Sequence, residues 1–136
     1  MSAKYTGGCL CGKVRYATDA DPLFSGNCHC KDCQRTSGGP YTPAMLFPKA
    51  AMTITGTPKF FDTKADSGRT IARGFCADCG SQLFSRLEFM PDIIGIKAGT
   101  LDDAALYKPV MDIWTASAAP WDEMNAEIPK HPASPQ

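Results

Sequence analysis

Seven cysteines fall into three clusters along the chain: Cys9-Leu10-Cys11-Gly12, Cys28-His29-Cys30-Lys31-Asp32-Cys33 and Cys76-Ala77-Asp78-Cys79-Gly80. An odd number cannot pair completely as disulfides, and small core hydrophobes would be scattered along the strands rather than gathered in groups. Thiolates at these spacings are metal ligands. Zinc binds sulfur at about 2.3 Å in a tetrahedron, which sets neighbouring sulfurs roughly 3.8 Å apart. A straight strand separates residues i and i+2 by about 6.6 Å, so a Cys-x-Cys pair chelates only where the chain bends. Gly7, Gly8 and Gly12 give Cys9 and Cys11 that freedom. Cys76 and Cys79, followed by Gly80, have the spacing of a zinc knuckle. Cys30 and Cys33 fit the first turn of a helix, with Asn27 near its cap.

Four thiolates close a structural site, whereas three leave one tetrahedral position open, the arrangement of catalytic zinc. Cys28, Cys30 and Cys33 come from six consecutive residues and form the natural open site. That leaves Cys9, Cys11, Cys76 and Cys79 to tie two distant parts of the chain together. Spacing alone keeps two other readings open. One is a single four-cysteine site drawing on Cys28 and Cys30; the other is a redox role for Cys76 and Cys79, although no βαβ pattern surrounds that pair. A structural zinc contributes on the order of 10 kcal/mol of folding free energy, so the metal-free chain is expected to fold poorly.

The elements that position these groups read as β-structure. Short β-rich runs bounded by Gly or Pro cover 13–18, 23–28, 41–47, 52–55, 59–63, 70–75, 82–85, 93–98 and 110–115. Residues 31–37 and 102–106 read as single helical turns. The pattern predicts one all-β domain over 1–136, a sandwich or open barrel stapled by metal. The last residues, from Trp121 onward and centred on 122–136, contain Pro129, Pro132 and Pro135 and read as an extended surface tail. With 136 residues, 43% hydrophobic and 21% charged, the composition is that of a globular protein. Lys+Arg and Asp+Glu balance at 14 each, which argues against a nucleic-acid partner held by phosphate contacts. No apolar run approaches the roughly 20 residues needed to span a bilayer, and the start lacks a secretory segment. The expectation is a cytoplasmic protein with no membrane partner.

Three motifs carry a family likeness: Gly7-Gly8-Cys9-Leu10-Cys11-Gly12-Lys13-Val14-Arg15-Tyr16, the run from Cys28 to Gly38, and Phe75-Cys76-Ala77-Asp78-Cys79-Gly80-Ser81. With Ala98 to Asp103, Ile113-Trp114-Thr115 and Ala119-Pro120-Trp121, the chain resembles the glutathione-dependent formaldehyde-activating family from about residue 4 to 132. The resemblance implies an Mss4-like all-β fold with two zinc ions. Cys9, Cys11, Cys76 and Cys79 would hold a structural zinc, and Cys28, Cys30 and Cys33 a catalytic one. It implies a carbon–sulfur lyase that combines glutathione, a small thiol, with formaldehyde to give S-hydroxymethylglutathione. Many relatives carry a His where this chain has Asp112 and a basic residue where it has Ala118. An added Asp and a missing cation predict a pocket that holds the glutathione carboxylates less well.

Among single residues, Arg35, Thr36, Ser37 and Gly38 are candidate substrate contacts because they follow Cys33 directly. Lys31, Arg35 and Lys97 are candidates to offset the charge of a thiolate site. His29 should point away from its neighbouring cysteines, as a solvated or supporting residue. Trp114 and Trp121 read as core aromatics, His131 as exposed, and Asp102-Asp103 and Asp122-Glu123 as turn and surface charges. The competing function is a non-catalytic thiol carrier or interaction scaffold. Methionine sulfoxide reduction would need a separate nucleophilic cysteine, and there is no eighth.

Overall fold

The structure, a computed structural model, describes residues 3–65 and 67–134. Among the described residues ten strands form two sheets. The strands are β1 (Tyr5–Gly8), β2 (Arg15–Thr18), β3 (Phe24–Cys28), β4 (Thr42–Pro48), β5 (Thr53–Thr55), β6 (Lys59–Lys64), β7 (Thr70–Phe75), β8 (Gln82–Leu87), β9 (Met90–Lys97) and β10 (Asp112–Ile113). The single α-helix among the described residues, α1, spans Lys31–Ser37. A small sheet runs β1-β2-β5 and a large one β10-β3-β4-β9-β8-β7-β6. Every pairing is antiparallel except β10 with β3. The all-β architecture expected from the sequence is what the chain adopts, as two open sheets with one short helix and two cysteine clusters able to hold metal.

The core lies between the sheets. Tyr5, Val14 and Tyr16 on the small-sheet side meet Met45, Phe47, Leu83, Phe84, Ile94 and Ile96 of the large sheet. The rings of Tyr5 and Phe47 meet edge-on at 5.2 Å, as do those of Tyr16 and Phe84 at 5.7 Å. Each fully buried large side chain is worth about 2 kcal/mol of transfer free energy. Strand β1 was not foreseen because its sequence is Tyr-Thr-Gly-Gly. The reason for the glycine is local crowding. A Cβ on Gly7 would collide with the Tyr16 hydroxyl and the Thr100 carbonyl.

The expected tail is extended but does not float free. Its backbone docks beside β10: the Asp112 N–H donates to Pro129 O at 2.9 Å, the His131 N–H to Asp112 O at 2.9 Å, and the Trp114 N–H to Ala133 O at 3.1 Å. Residues 135–136 lie outside the described part. Trp121 is a correction to the core assignment, since it is 66% exposed. The expected strand over 110–115 shrinks to two residues because Trp114 takes a left-handed conformation, φ 57°, and turns the chain.

Candidate metal centres and the adjoining cavities

The first cysteine group joins the two sheets. Cys9 and Cys11 sit in the turn between β1 and β2, where Gly12 adopts φ 82° and bends the chain as the Cys-x-Cys spacing requires. Cys76 and Cys79 sit in the turn between β7 and β8, closed by Gly80 at φ 79°. The four sulfurs lie within 4.8 Å of one another. The Cys9–Cys11 and Cys11–Cys76 separations are 3.6 and 3.7 Å, close to the roughly 3.8 Å of a zinc tetrahedron. Donors converge on the sulfurs as well. The Val14 N–H points to Cys9 Sγ at 3.3 Å and lowers its thiol, and the Ser81 hydroxyl and N–H hold Cys79 down at about 5. A set of four sulfurs at tetrahedral spacing, with backbone donors favouring thiolate, fits a metal ion.

The second group lies at the join of β3 and α1. Cys28 ends β3, Cys30 caps α1 and Cys33 occupies its first turn. The three sulfurs lie within 4.8 Å of one another, and no fourth His, Cys, Asp or Glu donor joins them among the described residues. Cys30 Sγ accepts the Cys33 N–H at 3.2 Å, so the helix cap and the ligand are one atom; such a cap is worth about 1 kcal/mol to the helix. Hydrogen bonds from the Cys28 and Cys30 thiols, aided by Thr42, hold the Cys33 thiol far below its ordinary value, while Cys28 is pushed up by the same neighbours. The trio thus favours the anion at Cys33 alone, since Cys30, like Cys28, is held above its ordinary value. Asn27 is not the cap. It is buried in β3, where it accepts from the Tyr107 hydroxyl at 2.6 Å and donates to Asp112.

His29 is the residue that fixes this loop. Its ring is fully buried, with Nε2 2.9 Å from Asp112 Oδ1 and Nδ1 3.0 Å from Asp122 Oδ2. It does point away from the cysteines, as its place in an extended segment demands, yet it is neither solvated nor exposed. Nε2 is hydrogen-bonded to Asp112, whereas Nδ1 and Asp122 Oδ2 are close neighbours that make no hydrogen bond. Asp112 also accepts from Lys130 Nζ at 2.9 Å. Burial raises the Asp112 carboxyl, but the hydrogen bonds from His29, Lys130 and Asn27 outweigh it and hold the group below its ordinary value. Gln34 Nε2 adds a clip, donating to His29 O and to Ser117 O, both at 2.8 Å.

Two expectations change here. Asp122, read as a surface charge, has a side chain only 5% exposed and closes the far side of the His29 ring. Asp112, expected to spoil a substrate pocket, is 1% exposed and spent on His29, Lys130 and Asn27. Neither Asp112 nor Ala118 lines the two cavities beside α1.

Those cavities flank the helix. One, of about 420 Å³, lies between the cysteine groups and is walled by Thr36, Ser37, Thr42, Ser81, Gln82 and Lys97. The other, of about 400 Å³, includes Asp32, Arg35, Phe61, Arg73 and Phe75. They share Thr36 and Gln82. Of the candidate substrate contacts, Arg35, Thr36 and Ser37 reach these walls, whereas Gly38 ends α1 in a left-handed conformation and lines neither. Lys97 donates to Ser85 Oγ at 2.7 Å. Burial pushes its ammonium down to about 8 against the pull of Cys33, and Arg73 adds to the depression. Arg73, Thr42 and Lys130 were missed from sequence, and Asp122 was given the wrong place. Only Arg73, a charge following the apolar Ile71 and Ala72 three residues before Cys76, left a signal there.

Comparison with known proteins extends this geometry. A solved structure of a Rhodobacter sphaeroides protein shares the fold, with a TM-score of 0.58 over 92% of this chain and 98% of that one, at 17% identity. Curated relatives that carry the formaldehyde-activating name include proteins of Penicillium rubens, 27% identical over 64% of this chain, and Aspergillus flavus, 28% identical over 63%. The chain spans about half the length of those relatives, 48% and 47% respectively. No helix among the described residues is long and apolar enough to cross a membrane. Residues 4–117 match the family described as glutathione-dependent formaldehyde-activating enzyme, and the chain belongs to that family.

Proposed function

We propose that the chain is a zinc-dependent carbon–sulfur lyase acting on a thiol–aldehyde adduct, with glutathione and formaldehyde as the reactants and S-hydroxymethylglutathione as the product. The observation that carries this reading is the asymmetry of the two groups. Four sulfurs close one of them, while the other has three and no fourth protein donor among the described residues; Thr42, which donates to Cys33 O, walls the cavity nearby. In the proposed division, Cys9, Cys11, Cys76 and Cys79 hold a structural ion and Cys28, Cys30 and Cys33 a reactive one. A zinc ion held by the trio would supply the positive charge that favours loss of a proton from an incoming thiol.

The chain's own residues do the rest. His29, clamped between Asp112 and Asp122, fixes the loop so that the three sulfurs keep one geometry. Thr36, Ser37 and Thr42 wall the space in which the thiol and aldehyde meet. Lys97 lines the same space, and its ammonium, which donates to Ser85 Oγ, is the cation there that could also donate to the carbonyl oxygen. As the sulfur–carbon bond forms, the carbon–oxygen π pair moves to oxygen, which takes up the proton the thiol gave up; the reverse sequence breaks the carbon–sulfur bond. Exchange NMR on the glutathione–formaldehyde equilibrium tests the reading. The wild type is expected to raise the exchange rate above the spontaneous one and Cys33→Ser is not. Thiol binding with no faster exchange would instead favour a carrier.

A further inference from the structure

Arg73 is only 5% exposed. Buried guanidinium groups are normally paired with a carboxylate. Among the described residues no carboxylate lies within 4 Å of Arg73, and its one side-chain hydrogen bond is from Nη1 to the neutral Thr63 hydroxyl at 2.7 Å. It lines the roughly 400 Å³ cavity beside α1, and Arg35 of the helix lines the same space, also without a carboxylate within 4 Å. Asp32 is the one acidic residue on the wall, and it pairs with neither. Two cations thus face one cavity, with one of them desolvated and uncompensated. The remaining N–H groups of such a fork suit a planar two-oxygen anion, which accepts two parallel hydrogen bonds.

The position of this cavity says what the anion belongs to. It joins the cavity beside the three-cysteine group through Thr36 and Gln82, which line both. Phe61 and Phe75 add an apolar wall for the intervening chain of a ligand. We propose that Arg73 and Arg35 form a carboxylate-recognising subsite, which selects thiols bearing an acidic group beyond the reacting sulfur. The proposal rests on the thiol chemistry of the previous subsection for its reacting end, but its anion end stands on the arginines alone. It also gives the chain a source of carboxylate affinity that the Asp112 and Ala118 positions do not offer.

Isothermal titration of the zinc-loaded protein with three ligands tests it: glutathione, its diethyl ester, which keeps thiol and amine but lacks both carboxylates, and S-methylglutathione, which keeps the carboxylates and blocks the sulfur. Glutathione is expected to bind about tenfold more tightly than the diester, and Arg35→Gln and Arg73→Gln to erase that preference. Arg73→Lys should restore part of it. Arg35 is exposed on a helix surface, so Arg35→Gln carries the test even if the Arg73 variant fails to fold. Equal binding of glutathione and diester, a preference that survives both substitutions, or no binding of any ligand overturns the proposal. S-methylglutathione separates this subsite from the thiol reading. If it binds as tightly as glutathione and still loses about tenfold in Arg73→Gln, the subsite stands and the thiol anchor falls.

Discussion

His29 Nε2 and Asp112 Oδ1 lie 2.9 Å apart, with the ring fully buried and the carboxylate 1% exposed. The two residues are distant in sequence but adjacent in the sheet, because β10 runs parallel to β3 with Asp112 beside Asn27 and Ile113 beside Cys28. The pair ties the loop that carries Cys28, Cys30 and Cys33 to the far end of the chain. Asp112→Ala would leave the His29 ring, Lys130 and Asn27 without their shared acceptor. Breaking a buried pair from one side costs about 3–5 kcal/mol, a loss that urea unfolding measures. Asp112→Asn keeps one acceptor and should lose less. A change below 0.5 kcal/mol in Asp112→Ala would show that the cluster does not support the fold.

Removal of residues 121–136 takes away Asp122 and Lys130 but none of the named strands or cysteines. The sheets should persist, as far-ultraviolet circular dichroism would show. Backbone amides of 29–34, however, should exchange at least tenfold faster, because His29 Nδ1 loses the buried Asp122 carboxylate beside it and Asp112 Oδ2 loses the Lys130 ammonium. Unchanged protection in that loop would mean the terminal segment is an appendage rather than a strap.

Asp102 offers a pH test at the other end of the molecule. Hydrogen bonds from the Arg15 guanidinium and the Thr6 hydroxyl hold its carboxyl at about 2, below its ordinary 3.8. A depressed carboxyl stabilises the fold above its unfolded value, and that stabilisation is lost as pH falls through the folded one. The difference in urea midpoint between wild type and Asp102→Asn should therefore stay constant from pH 7 to about 4 and close towards pH 2. The side chains are 43% and 46% exposed, so salt should shrink it throughout. A difference that widens on acidification would contradict the assignment.

Local chemistry was legible in the sequence. Cys30 to Ser37 reads as a helix start because a ligand cysteine and its i+3 partner share one turn, and α1 spans Lys31–Ser37 as expected. The glycines around Cys9 and Cys11 correctly marked a bend. What stayed hidden depends on residues far apart in the chain. Nothing near Asp122 announces that it faces His29, and Trp121 beside it is exposed rather than buried. Asp112 looked like an intruder in a pocket because its partners, His29 and Lys130, come from opposite ends of the sequence. Strand β1 was masked by Gly7 and Gly8, which weaken any β pattern; Tyr16 and Thr100 crowd the first, and Arg15 and the Val14 carbonyl the second.

In the proposed division the chain holds two metal ions in unlike settings, one enclosed by four sulfurs and one gripped by three. Metal analysis of the wild type beside Cys33→Ser and Cys79→Ser addresses it directly. The account expects about two zinc ions per chain in the wild type. Cys33→Ser should retain about one ion and its cooperative unfolding, whereas Cys79→Ser should lose that cooperativity, since Cys79 belongs to the group that bridges the sheets. One ion in the wild type, with the same content in Cys33→Ser, would contradict it.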